Sequence, residues 1–127
     1  MAFAITNKTT TFPTEFVPVV HKELADQTSD ITALDMGVAG LKFLRGRIVA
    51  KSGIDNTETF SFLVRLGATA SLNPSELVYV SPTYTGFTTD TRAIFNFYAS
   101  SELGFQYVNV DVTNAGTWTF DVILEAA

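Results

Sequence analysis

The sequence predicts an all-β domain, an antiparallel two-sheet β-sandwich that is jelly-roll-like with an extended N-terminal arm, and three observations predict it. Eighteen threonines and eleven phenylalanines dominate the composition, and β-branched and aromatic side chains suit a pleated surface. Apolar residues recur with period two in several windows, while no window sustains helical spacing. The runs are short and separated by turn residues, giving seven or eight strands in 127 residues, which is the length of an eight-stranded jelly roll. An immunoglobulin-like sandwich is the alternative, although its usual cysteine pair is missing.

Taken in order, residues 1–16 are threonine-rich and polar, with Thr9, Thr10, Thr11 and Pro13, and read as an extended arm. Residues 17–127 read as one sandwich domain. Val17–Leu24 is the first strand; Pro18 places it at an edge or a strand start. Gln27–Asp30 is a polar turn. Leu41–Lys51 is a long strand with Leu44, Gly46, Ile48 and Ala50 on one face and Phe43, Arg45, Arg47 and Lys51 on the other; Gly46 marks a candidate bulge. After a turn at Ser52–Asn56, Phe60, Phe62, Val64 and Leu66 alternate with polar residues as in a half-buried antiparallel strand.

Asn73-Pro74-Ser75-Glu76 has the residue order of a capped helical turn, with Asn at the cap and Glu at the third helical position. Leu77–Val80 is a short strand, Ser81–Asp90 a long loop and Ala93–Ala99 extended. The final two strands are expected to form a hairpin through Thr113–Thr117. Pairing Val112 with Trp118 sets Val108, Val110, Val112, Trp118, Phe120, Val122 and Leu124 on one face.

Composition narrows the function. Charged residues make up only 17% of the chain against 46% hydrophobic, which excludes intrinsic disorder and fits an assembly subunit that hides part of its exterior. The net charge of −5 argues against nucleic-acid partners and against acidic membranes. There is no cysteine, hence no disulfide framework and no thiolate site. The first residues lack the basic region and apolar run of a signal peptide, so folding in a cytosol is expected.

An enzyme is not expected. His21 is the single histidine and sits within a strand without a recognisable nucleophile sequence nearby. Asp111 and Asp121 share the polar face of the predicted hairpin, where solubilising the sheet is the simpler role than acid–base work on a glycoside. Asp55, Asn56 and Glu58 offer oxygen ligands but lack the spacing of a calcium loop. No metal, phosphate site or other cofactor is expected. The sequon Asn7-Lys8-Thr9 is a match without a secretion signal.

Two features stand out as candidate partner contacts. Lys42, Arg45, Arg47 and Lys51 are half of the eight Lys and Arg residues, gathered within ten positions. They read either as a face balanced by acids on neighbouring strands or as a docking face for an acidic protein surface. Tyr84 and Phe87, in a loop with Pro82 and Gly86, are candidates to cap the core, to anchor an interface or, with Tyr79 and Tyr107, to stack on sugars as in a lectin-like module. Phe12 and Phe16 in the arm complete the candidate set.

The arm Met1–Phe16, the strand Leu41-Lys42-Phe43-Leu44-Arg45 and the terminal stretch Trp118–Leu124 together resemble the small decoration or cement proteins of tailed-phage capsids. The resemblance is architectural, spans the chain and transfers no residue set. It implies a jelly-roll subunit, often a homotrimer, made in the host cytoplasm and seated on the virion exterior against the major capsid protein, where it stabilises the shell. Within such a virion, a tail or baseplate component is the alternative placement.

Overall fold

A computed structural model describes residues 13–70, 76–114 and 118–127, with the side chain of Asn114 excepted. Most of the arm, including Phe12, residues 73–75 of the predicted helical turn and most of the last loop lie outside the described residues. The strands are β1 (Val20–Gln27), β2 (Ile31–Asp35), β3 (Leu41–Ser52), β4 (Phe60–Gly67), β5 (Glu76–Val80), β6 (Ala93–Phe105), β7 (Tyr107–Asn114) and β8 (Thr119–Ala126).

They form two four-stranded sheets, ordered β1-β8-β3-β6 and β2-β7-β4-β5. Every pairing is antiparallel. The pairs β1·β8, β2·β7, β3·β6 and β4·β5 are those made by folding one long ribbon on its midpoint and rolling it up. That wrap is a jelly roll, so the predicted fold class stands.

Period-two alternation sets the core. On β3, Leu44, Ile48 and Ala50 are fully buried; on β4, Phe60, Phe62, Val64 and Leu66; on β8, Phe120, Val122, Leu124 and Ala126. The two inner faces meet in a continuous aromatic layer. Phe60 of β4 stacks on Trp118, with centroids 5.3 Å apart and planes 7° apart, and on Phe95 of β6 at 4.7 Å. Phe62 packs on Phe97 at 5.4 Å and on Tyr79 at 5.5 Å. Ring pairs of this kind add about 0.5–1.5 kcal/mol each beyond their buried area.

The terminal hairpin does not form. β7 lies between β2 and β4, and β8 lies in the other sheet between β1 and β3; Val112 is opposite Phe62. The apolar side chains of the two strands do converge, but from opposite sheets across the core. Alternation fixes which face a strand buries and leaves open which strand lies beside it. Asp111 and Asp121 consequently sit on opposite outer faces, Asp111 ion-paired to Arg65 at 3.0 Å and Asp121 to Lys51 at 3.0 Å.

Other boundaries move for local reasons. The first strand starts at Val20, after Pro18, and Glu76 opens a strand rather than a helical turn. Its carboxylate accepts Ser101 Oγ at 2.5 Å and the Glu102 amide at 3.0 Å. β2 had no distinct alternation to reveal it, because the ladder slips between Ile31 and Leu34 and Ala33 has φ of 49°. Asn109, expected on a solvated face, is buried and accepts the Ala33 amide at 2.7 Å. Gly46 lies in unbroken register with Phe97 and Leu124; the shifts in β3 fall at Leu41/Phe43 and Ala50/Ser52 instead.

Candidate interaction site

The outer face of the β1-β8-β3-β6 sheet is where the sequence concentrates its chemistry. Because β3 buries Leu44, Gly46, Ile48 and Ala50, the alternating Arg45, Arg47 and Lys51 project outward. Register then sets their neighbours. Arg45 is opposite Tyr98 on β6 and Glu125 on β8, and Glu125 is opposite His21 on β1. One row, His21–Glu125–Arg45–Tyr98, thus crosses all four strands.

Within that row, Arg45 Nη2 and Nε both donate to Glu125 Oε1, at 2.6 and 3.1 Å. His21 Nδ1 lies 3.4 Å from the other oxygen of Glu125, and His21 Nε2 lies 3.0 Å from Glu23 Oε1. The hydrogen bond from Arg45 holds the Glu125 carboxyl below the ordinary glutamate range, with His21 adding to the effect. Hydrogen bonding to Glu23 first, and to Glu125 second, raises the His21 imidazole above its ordinary value. Both shifts favour the charged forms.

Phe16 completes the row. Arg45 Cζ sits 4.8 Å from the Phe16 ring centroid, a cation–π distance. Residues Pro13–Phe16 with Arg45 and Tyr98 line a groove of about 590 Å³, and Arg45, Gly46, Arg47, Asn96 and Tyr98 line a smaller hollow of about 210 Å³ beside it. Tyr98 remains 57% exposed. It was not among the sequence candidates; the signal was its place next to Phe97 in an alternating strand, but only the β3–β6 register brings it to Arg45.

The basic strand divides in two. Lys51 Nζ is 2.5 Å from Asp26 Oδ1 and 3.0 Å from Asp121 Oδ1, and those hydrogen bonds raise the Lys51 ammonium above its ordinary value, Asp26 first. Asp121 is lowered by the Asp26 amide, which it accepts at 3.0 Å, and then by Lys51. Arg45 and Lys51 are therefore neutralised by acids on β1 and β8. Arg47 donates to Asn96 Oδ1 at 2.9 Å and Lys42 to the Glu102 carbonyl at 3.1 Å, so both rest on uncharged acceptors and both are exposed.

Tyr84 and Phe87 lie elsewhere, at the end of the core. Tyr84 exchanges backbone hydrogen bonds with Phe60, at 2.8 and 3.0 Å. Its ring meets Phe95 at 4.7 Å. Phe87 packs edge-on against Trp118 at 4.8 Å. Both are partly buried against the core, as is Tyr79. These three rings are committed to packing and do not form an exposed sugar-stacking plane, and Tyr107 is half-buried on β7.

Asp55 and Glu58 serve local structure. Asp55 accepts the amide and hydroxyl of Thr57, both at 2.8 Å, and these bonds lower its carboxyl. Glu58 accepts the buried Trp118 indole N–H at 2.5 Å. Among the described residues, no three His, Asp or Glu side chains gather as a metal-binding set.

No protein-family model matches the chain, and no curated protein matches it. Among solved structures it is similar to the VP2 subviral particle of infectious bursal disease virus, at 8% identity and TM-score 0.49, covering 99% of this chain and 36% of that one. It is also similar to the Gt strain of the virus, at 9% identity and TM-score 0.48 over 98% of this chain and 36% of that one. The Gx strain gives 9% identity and TM-score 0.47 over 84% and 29%. The chain spans about a third of the length of these proteins. The fold assignment rests on the strand order and registers above.

Proposed function

We propose that this chain is a non-enzymatic structural subunit of a virion: a capsid decoration or cement protein of a tailed phage that binds the assembled shell and stabilises it. The observation that carries the reading is the complete jelly-roll wrap, an architecture used by viral capsid and lectin domains. Between those two uses, the inward packing of Tyr79, Tyr84 and Phe87 favours the structural one. The pairing of Arg45 and Lys51 with carboxylates supports it too, since these groups brace the sheet.

In this reading the major capsid protein is the partner, reached from the virion exterior after synthesis in the host cytoplasm, and the subunit acts as a homo-oligomer, a trimer by the phage resemblance. Neither nucleic acid nor membrane is a partner, in keeping with the net charge of −5. Phe16 with Arg45, together with exposed Lys42 and Arg47, supplies the contact chemistry, and several weak contacts per oligomer act together by avidity.

Co-sedimentation with assembled shells of the virus that encodes the chain tests the proposal. Saturable binding is expected, weakened by deleting residues 1–16 while the β-sheet circular dichroism persists. A folded chain that stays in the supernatant at every concentration would refute it.

A further inference from the structure

On the outer face of the β1-β8-β3-β6 sheet, Arg45 is paired with Glu125, and Lys51 with Asp26 and Asp121. Arg47 lies between them on β3 and is matched by no acid. It is opposite Asn96 on β6 and Ile123 on β8, so neither cross-strand neighbour carries a charge. Asp121 and Glu125, two positions along β8 to either side of Ile123, are the acids already taken by Lys51 and Arg45. Among the described residues no carboxylate pairs with Arg47, and residues 1–12, 71–75 and 115–117 contain no Asp or Glu.

The engaged donor of Arg47 is Nε, which Asn96 Oδ1 accepts at 2.9 Å. That bond turns the Asn96 amide so that its NH2 is left as a donor beside the guanidinium. Among the described residues the two terminal nitrogens of Arg47 take no partner, and their fork matches the two oxygens of a carboxylate. The hollow of about 210 Å³ that Arg45, Gly46, Arg47, Asn96 and Tyr98 line has room for a carboxylate and the methylenes that carry it.

Arg45 and Tyr98 are walls of the larger groove as well, whose remaining lining is Pro13, Thr14, Glu15 and Phe16. The two spaces differ in chemistry. The groove offers the rings of Pro13, Phe16 and Tyr98 to an apolar side chain, and Glu15 there opposes an anion. The hollow holds the uncompensated guanidinium. We propose that hollow and groove together bind one extended segment of a partner protein, with an Asp or Glu carboxylate on Arg47 and a neighbouring apolar side chain against Phe16 and Tyr98. Charge complementarity selects this occupant. A single carboxylate fits one unmatched guanidinium, whereas a nucleic acid brings further charges against Glu15 and a net charge of −5. The site refines the contact face assigned above and rests on that reading for its partner, the major capsid protein.

The test uses hydrocinnamate, a phenyl ring joined to a carboxylate by two methylenes, against its neutral amide, hydrocinnamide. Titrated into the isotope-labelled full chain, hydrocinnamate is expected to bind saturably and to shift the NMR signals of Arg47 Nε–H, the Asn96 side-chain amide and the Phe16 backbone amide. Hydrocinnamide, and hydrocinnamate with the exposed Arg47 changed by Arg47→Gln, are each expected to bind about tenfold more weakly, for want of the charge-assisted pair. Phe16→Ala also weakens the acid. Equal binding of acid and amide, acid binding unchanged by Arg47→Gln, or no shift at these residues would each overturn the site. Self-association of the wild-type chain that Arg47→Gln abolishes would put a second copy there and overturn the assignment to a partner protein. These measurements need no shell, so their failure strikes the site and leaves the virion role standing, while failed co-sedimentation with shells does the reverse.

Discussion

The ring of Phe97 on β6 occupies the space where a side chain on Gly46 of β3 would be. The two residues are directly opposite in the ladder, and a Cβ on Gly46 would lie 2.0 Å from Phe97 Cζ and 2.2 Å from Cε1. Phe97 is buried and Gly46 lies on the inner face, so the ring has nowhere to retreat without disturbing Phe62 and Tyr79. The glycine is required by packing and not by backbone conformation.

Gly46→Ala is therefore expected to destabilise the fold by about 1–3 kcal/mol, the usual cost of overpacking a core. Combining it with Phe97→Leu is expected to cost less than the two changes separately, since both act on one space. Chemical denaturation midpoints measure this. An unshifted midpoint for Gly46→Ala contradicts the packing account.

Trp118 is buried and its indole N–H is accepted by Glu58. Removing the acceptor with Glu58→Ala leaves a buried donor without its partner and is expected to cost about 1–3 kcal/mol. Glu58→Gln keeps an acceptor oxygen and is expected to retain most of the stability. Equal losses in the two variants would assign the effect to something other than this hydrogen bond.

The His21–Glu125–Arg45 row makes opposite pH predictions for His21 and Glu125. Glu125, lowered mainly by Arg45, gives a stabilisation that is complete above the ordinary glutamate range and lost as pH falls through its depressed value. His21, raised by Glu23 and Glu125, gives one that is complete below the ordinary histidine value and lost as pH rises through its elevated value. In an NMR titration, Glu125→Gln should move the His21 midpoint down while leaving it above an ordinary histidine, because Glu23 remains. Being a surface pair, the same change should alter stability by no more than about 1 kcal/mol. An unmoved His21 midpoint would show that the 3.4 Å contact has no electrostatic weight.

What the sequence made legible was each strand's inward face. The alternations at Leu44–Ala50, Phe60–Leu66 and Phe120–Leu124 all point as predicted, because burial of one sheet face writes period two directly into the chain. Partnership was not legible: β7 and β8 pack face to face and not side by side, and the alternation is identical either way. β2 and the buried Asn109 stayed hidden because a bulge breaks the period there. The candidate residues Phe16 and Arg45 do meet. Tyr98 and Glu125 join them only through the registers of β3 with β6 and β8, which depend on long-range pairing.

The central claim, that the chain is a structural component of a virion, is tested most directly by quantitative mass spectrometry of purified particles. The account predicts the chain in fixed proportion to the major capsid protein, retained through density-gradient purification. A chain made during infection but absent from purified particles, or present only in traces that wash away, would contradict it.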